Sequence, residues 1–251
     1  MHCELIGMGA GSPGHITLDG VACLQQVDGI IALDKGDTKH DLLAVRETIL
    51  QTHAPHVPLV TVADPPRDRH PENYEQEVIR WHHARAELLY RTIVQRFGVE
   101  SRVGFLVWGD PALYDSTLRI IDHMRTVADA EITVTVYPGI TAIAALTAAH
   151  AIVLNRIGEA IHVTTGRMLP ATSKEDRRNC VVMLDGGTAF TEVAGPDTYI
   201  YWGAYLGTPQ QVLRQGYVAD VGEEITALKA QLREEHGWIM DTYLLREIPA
   251  S

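Results

Sequence analysis

The chain has 251 residues, of which 46% are hydrophobic and 21% charged, and a formal net charge of −11 with the histidines neutral. These values suit one large or two modest globular domains with real cores. The acidic balance disfavours a non-specific nucleic-acid binder, which needs a basic surface. The longest apolar runs fall well short of the roughly 20 residues that span a bilayer. The start, Met1-His2-Cys3-Glu4, has neither a basic n-region nor a signal-peptide core, so a cytoplasmic protein is expected.

In chain order, Glu4–Ile6 reads as a first strand, followed at once by the glycine-rich run Gly7–Gly14. A short helix is expected over Ile16–Gln26, with Thr17 as its N-cap. Gly29–Leu33 is a compact apolar strand ending at Asp34. Asp41–Gln51 has helical spacing in Leu42, Val45, Ile49 and Leu50. Val57–Val62 is a third strand, Asp64–Pro71 a loop, and Tyr74–Phe97 a long charged helix. Val103–Val107 and Ile132–Val136 are β-rich runs flanking a helix over Ser116–Val127. Each of these two strands runs into a bent turn: Trp108-Gly109-Asp110-Pro111 after the first, Pro138-Gly139-Ile140-Thr141 after the second. Open α/β sheets bind small molecules at such strand ends.

Beyond Gly139 the expected elements are an alanine-rich helix, Ala142–Ala151, and strands Ile161–Thr165, Val181–Leu184 and Thr198–Trp202. A helix over Ile225–Glu235 and a closing strand Ile239–Arg246 follow. Two α/β domains result, residues 1–137 and 138–251. The cysteines, Cys3, Cys23 and Cys180, are widely spaced and form no Cys-x-x-Cys pair. Among the twelve histidines, His53 with His56 and His82-His83 are the nearest to a cluster. A proline-broken loop holds the first pair, and sequential residues point to different sides of a helix, so both are read as solvated and no metal is assigned.

Gly9-x-Gly11-x-x-Gly14, between a strand and a helix, matches the dinucleotide fingerprint, with Asp34 placed 20 residues on as the ribose-binding acid. An NAD(P)-dependent oxidoreductase is therefore one candidate. Pro13 counts against it, since such a loop needs free N–H groups aimed at a pyrophosphate. An α/β module that holds a ligand without transforming it is another.

Three motifs in order carry a resemblance that spans most of the chain: Gly7-Met8-Gly9-Ala10-Gly11-Ser12-Pro13 with Ile16-Thr17, Gly109-Asp110-Pro111 with Tyr114, and Pro138-Gly139-Ile140-Thr141-Ala142. On them the chain resembles the tetrapyrrole methylases, S-adenosylmethionine-dependent enzymes that methylate corrin and sirohaem precursors. Ala10 and Ser12 depart from that family's usual Pro and Asp. Three further segments are similar to one branch: Leu33–Leu42 with Arg46, Asn155–Gly158 with His162–Arg167, and Tyr201–Tyr205. In that branch, precorrin-5 is methylated at C-1 with release of acetate in aerobic cobalamin biosynthesis. A neighbouring precorrin C-methyltransferase is the alternative within the family.

The resemblance implies two α/β domains with S-adenosyl-L-methionine in the cleft between them, no metal, and a homodimer. It implies cofactor contacts from Gly109, Asp110, Leu113, Thr141, Ala142, Leu184, Tyr205 and Thr242. A polycarboxylate substrate needs cations, and Lys35, Lys39, Arg46, Arg156 and Arg167 are the candidates. Acetate release asks for a group that activates water. Asp34, Asp37, His40, Tyr114 and Asp185 are candidates by location, with no choice among them.

Overall fold

The computed structural model describes residues 1–34, 40–68 and 72–249. The chain divides into two compact units, Met1–Ile140 and Thr141–Ser251.

The first unit is built on five parallel strands: β1 (His2–Gly7), β2 (Gly29–Asp34), β3 (Leu59–Ala63), β4 (Arg102–Val107) and β5 (Thr133–Tyr137). Their spatial order is β3-β2-β4-β1-β5. Parallel sheets are covered on both faces, so the central strands read as near-continuous apolar runs. On one face, helices α3 (Tyr74–Phe97) and α4 (Thr117–Val127) pack Ala86, Leu89, Ile93, Ile121 and Met124 against Leu5, Val103 and Phe105. On the other, α1 (Leu18–Leu24) and α2 (His40–His53) pack Leu24, Ile49 and Leu50 against Ile6, Ile30 and Leu106. Among the described residues Glu4 is the carboxylate buried inside this apolar fabric; it pairs with Arg102 on the neighbouring strand and sits 3.2 Å from His2 Nε2.

The second unit starts with α5 (Ala142–Ala149) and carries a mixed sheet of β6 (His162–Thr165), β7 (Asn179–Met183), β8 (Thr198–Ala204), β9 (Val212–Tyr217) and β10 (Asp241–Glu247). The order is β6-β7-β10-β8-β9. The short α6 (Phe190–Val193) and the long α7 (Val218–His236) enclose a core of Phe190, Trp202, Tyr243 and Ile225.

Strand β9 and the first two turns of α7 escape the sequence pattern. β9 is an edge strand with every residue at least partly exposed, so it lacks the alternation that marks a half-buried strand. Gly222 weakens helix propensity near the start of α7. It is kept where a β-carbon would approach Val218 to 3.2 Å and the Phe190 ring to 3.8 Å.

Candidate functional site

All five strands of the first unit point the same way, so the turns after β1, β4 and β5, which are neighbours in the order β4-β1-β5, leave one edge together. They meet backbone to backbone. Gly9 and Gly109 form an isolated antiparallel bridge, with Gly109 N donating to Gly9 O at 2.8 Å and Gly9 N to Gly109 O at 3.2 Å. A β-carbon on Gly139 would stand 2.1 Å from Gly109 O and 2.8 Å from Gly7 Cα. Glycine at 139 is thus set by close approach.

Asp110 ties these turns. Its Oδ2 accepts from Gly139 N at 2.8 Å and its Oδ1 from Ala112 N at 2.7 Å. Both oxygens are therefore engaged by backbone, and the side chain shapes the edge. Gly109 itself has φ +68, and a β-carbon there would meet no atom of the described residues within 4 Å. Its Cα thus faces open space, which leaves room for a ligand to approach the backbone. Leu113 follows in the same loop, its N–H held by Asp110 O. Tyr114 adopts φ +54 and is 46% exposed. A bulky residue at positive φ costs about 1–2 kcal/mol, and such residues cluster at functional sites.

Arg46, on α2, donates its Nε to Leu106 O at 3.1 Å, which places the guanidinium at this end of β4. Burial pushes its pKa down to about 10, against the pull of the Asp115 carboxylate. Asp34 closes β2, an exposed residue whose carbonyl accepts from Asp64 N. His40 is the first residue of α2. Lys35, Asp37 and Lys39 lie outside the described residues.

The dinucleotide alternative does not survive this geometry. Ser12 Oγ accepts from Gly14 N and Ser12 O from His15 N, so these two N–H groups serve the turn rather than a pyrophosphate. Moreover β4 separates β1 from β2, putting Asp34 two strand spacings, about 9–10 Å, across from the β1 turn. In the dinucleotide fold those two strands are adjacent.

In the second unit, Leu184, Thr242 and Tyr205 collect on one sheet edge. β10 lies between β7 and β8, with Thr242 paired to Met183 on one side and Gly203 on the other. Leu184 follows β7 directly, and Tyr205 follows β8. Both have positive φ, +53 and +50. Leu184 is 59% exposed, an apolar side chain held outward in a strained conformation. Tyr205 is buried and its hydroxyl donates to Trp238 O at 2.6 Å. Its backbone is engaged too, the N–H donating to Met240 O at 2.9 Å and the carbonyl accepting from Thr208 N at 3.0 Å and Thr208 Oγ1 at 2.7 Å. Thr141 caps α5, its Oγ1 accepting from Ala144 N at 3.1 Å, and Ala142 is the first helical residue. Arg167 follows β6, which runs parallel to β7, and lies on the same edge as Leu184.

Two expected residues stand apart. Arg156 donates to Glu247 O at 2.9 Å. Glu247 ends β10 while Thr242 is near its start, so Arg156 sits about 17 Å along the strand from the Leu184 edge. Asp185 is buried and its carboxylate is filled: Oδ1 accepts from Gly187 N at 2.9 Å, Oδ2 from Ala189 N at 3.0 Å and from Tyr243 OH at 2.8 Å. That makes it the fastener of the loop after β7.

Sequence reasoning passed over the buried pair Lys229–Asp241. A signal for Lys229 existed: it falls on the apolar face of α7 with Val218, Ile225 and Leu232. His82, read as solvated, is 8% exposed, its ring against Trp81 at 5.7 Å between centroids and 6.2 Å from His123. Burial first, then Arg85 and Arg119, lower its pKa. Among the described residues no group of three His, Cys, Asp or Glu is placed to hold a metal. Burial raises the Cys3 and Cys180 thiols to about 12 and Cys23 to about 11, so none supplies a thiolate near neutrality.

Three glycine turns thus gather on a β4-β1-β5 edge of a parallel sheet, and a mixed-sheet unit follows in the chain. A sequence profile of the tetrapyrrole (corrin/porphyrin) methylases matches residues 2–222, and the chain belongs to that family. A precorrin-6A synthase [deacetylating] of Sinorhizobium sp is 39% identical over 245 residues, covering 97% of this chain and 94% of that protein. The structure of a cobalamin synthesis related protein (CobF) of Corynebacterium diphtheriae is 56% identical, covers 99% of this chain and all of the other, and superposes with a TM-score of 0.89. A uroporphyrin-III C-methyltransferase of Thermus thermophilus, complexed with S-adenosylhomocysteine, shares the fold at 15% identity, with a TM-score of 0.62 over 98% of this chain and 92% of that one.

Proposed function

We propose that this chain methylates precorrin-5 at C-1 with S-adenosyl-L-methionine and releases the acetyl group as acetate, giving precorrin-6A in cobalamin biosynthesis. The observation that carries this is the end-to-end likeness to a precorrin-6A synthase, 39% identity over 97% of this chain and 94% of that protein.

In the first unit, the open Cα face of Gly109 and the exposed Tyr114 suit close approach of a cofactor; in the second, Leu184 is an exposed apolar side chain. In this reading the contacts come from Gly109, Asp110, Leu113, Thr141, Ala142, Leu184, Tyr205 and Thr242. When bound, the cofactor supplies an already activated methyl on a sulfonium. The protein then needs no nucleophile of its own; it must align a ring carbon with the S–CH3 bond and exclude water. Gly109 brings backbone close to the cofactor, and Asp110 keeps that turn fixed to Gly139. Arg46 and Arg167 are the described cations at the two edges for substrate carboxylates, with Lys35 and Lys39 following β2 in sequence. Acetate release requires water to add to the acetyl carbonyl. Asp34, Asp37, His40 and Tyr114 remain the groups to activate it, whereas the Asp185 oxygens are already taken by three donors.

No helix among the described residues is long and apolar enough to cross a membrane. The proposal places the enzyme in the cytoplasm as a homodimer, to be checked by sedimentation at micromolar concentration. Calorimetry tests the cofactor assignment: S-adenosylhomocysteine binds and NAD does not. Tight NAD binding without S-adenosylhomocysteine binding overturns it.

A further inference from the structure

The strained residue Leu184 is pinned on both sides. Before it, Met183 O accepts from Gly166 N at 3.0 Å, and β7 pairs with β10. After it, Asp185 is held through both its side chain and its backbone. The side chain takes Gly187 N, Ala189 N and Tyr243 OH. The backbone carbonyl accepts from Lys229 Nζ at 2.6 Å. Lys229 reaches it from α7, only 3% exposed, and donates also to Asp241 Oδ2 at 2.7 Å. Asp241, 5% exposed, takes Trp202 Nε1 at 2.9 Å as well. Gly166 presses on the same residue, since a β-carbon there would lie 2.6 Å from Asp185 Cα.

A buried lysine and aspartate are a costly way to fill a core, and hydrophobic residues of like volume stabilise as well or better. What this pair achieves that apolar residues cannot is a directed hydrogen bond to one main-chain carbonyl beside a strained residue.

We propose that Lys229, with Asp241 and Tyr243, positions Leu184 for the cofactor by clamping Asp185. The inference rests on the assignment of Leu184 to the cofactor edge made above. Lys229, Asp241 and Tyr243 are thus positioning residues, which set affinity for S-adenosylmethionine by holding the backbone that aims the exposed Leu184 side chain.

The test uses the full chain and S-adenosylhomocysteine as the calorimetric probe. Tyr243→Phe removes one donor to Asp185 while keeping the ring against Phe190. The pair Lys229→Met with Asp241→Asn removes the ion pair as a unit, so neither partner is left without the other, while the buried Asp185 carboxylate keeps its three donors. Ile225→Ala, in the core of the same helix, controls for stability loss alone. Each of the two brace variants should weaken binding about tenfold, and the effect should vanish in a Leu184→Ala background, the signature of coupled positions. KM for S-adenosylmethionine should rise with kcat at saturation little changed, and the Leu184 methyl resonances should shift. Ile225→Ala should bind as the parent does. If Leu184→Ala weakens binding and the brace variants do not, the clamp is overturned while the edge assignment stands. If Leu184→Ala binds like the parent, the edge assignment fails and the clamp with it.

Discussion

Gly139→Ala puts the heaviest demand on the edge where the three turns meet. The added carbon would stand 2.1 Å from Gly109 O, against an ordinary C···O approach of about 3.3 Å, so one turn must retreat by roughly 1.2 Å. Neither is free to do so cheaply: Gly109 is bridged to Gly9, and Gly139 is bonded to Asp110. Overpacking of this kind costs about 1–3 kcal/mol. For a chain of this size that is a fall in Tm of roughly 2–4 °C per kcal/mol. A displacement of about 1 Å in a positioning turn is also worth up to a hundredfold in rate. Thermal unfolding should show the loss of stability, calorimetry with S-adenosylhomocysteine a weaker affinity, and initial rates of methylation the loss of rate. Gly109→Ala is the counterpart. It meets no described atom within 4 Å but carries φ +68, so it costs stability about 1–2 kcal/mol while its methyl enters the space that the proposed function gives to the cofactor. Parent-like Tm and affinity in Gly139→Ala would refute the packing on which the site is built.

Other outcomes follow from single contacts. Asp110→Asn turns one acceptor into an NH2 facing an N–H donor at Gly139 or Ala112, and urea unfolding should register a loss of about 1–3 kcal/mol. His82 has a folded-state pKa below its usual 6.5, so below that pH the unfolded chain takes up a proton the folded chain refuses. Stability therefore falls as pH drops from 6.5, and His82→Gln should flatten that part of a Tm-against-pH plot; an unchanged slope removes His82 as its cause. Asp185→Asn should lower stability and reduce methylation and acetate release in parallel. Selective loss of acetate release, followed by product analysis, would instead make Asp185 the water-activating group.

The parallel strands were legible because burial on both faces leaves an unbroken apolar run, as in Gly29–Leu33 and Val103–Val107. The cap at Thr17 was legible because it stands just before a short helix, and it accepts the N–H of Gly20. The second unit was harder. Its edge strand β9 is partly exposed throughout, and the first turns of α7 hide behind Gly222. The fingerprint at Gly9–Gly14 misled for a topological reason: local spacing says nothing about β4 entering between β1 and β2. Contacts between residues far apart in sequence were likewise invisible. His82 meets His123 across two helices, and Lys229 reaches Asp185 across 44 positions. Arg156 illustrates the converse, a cation whose neighbours in sequence suggested substrate and whose bond to Glu247 O sets it at the other end of β10.

The central claim is a coupled methylation and deacetylation, and turnover of precorrin-5 with methyl-labelled S-adenosylmethionine tests it most directly. The account predicts a pigment that has gained one labelled methyl and lost one acetyl, with acetate formed in equal amount. An unchanged pigment, or a methylated one with no acetate released, would contradict it.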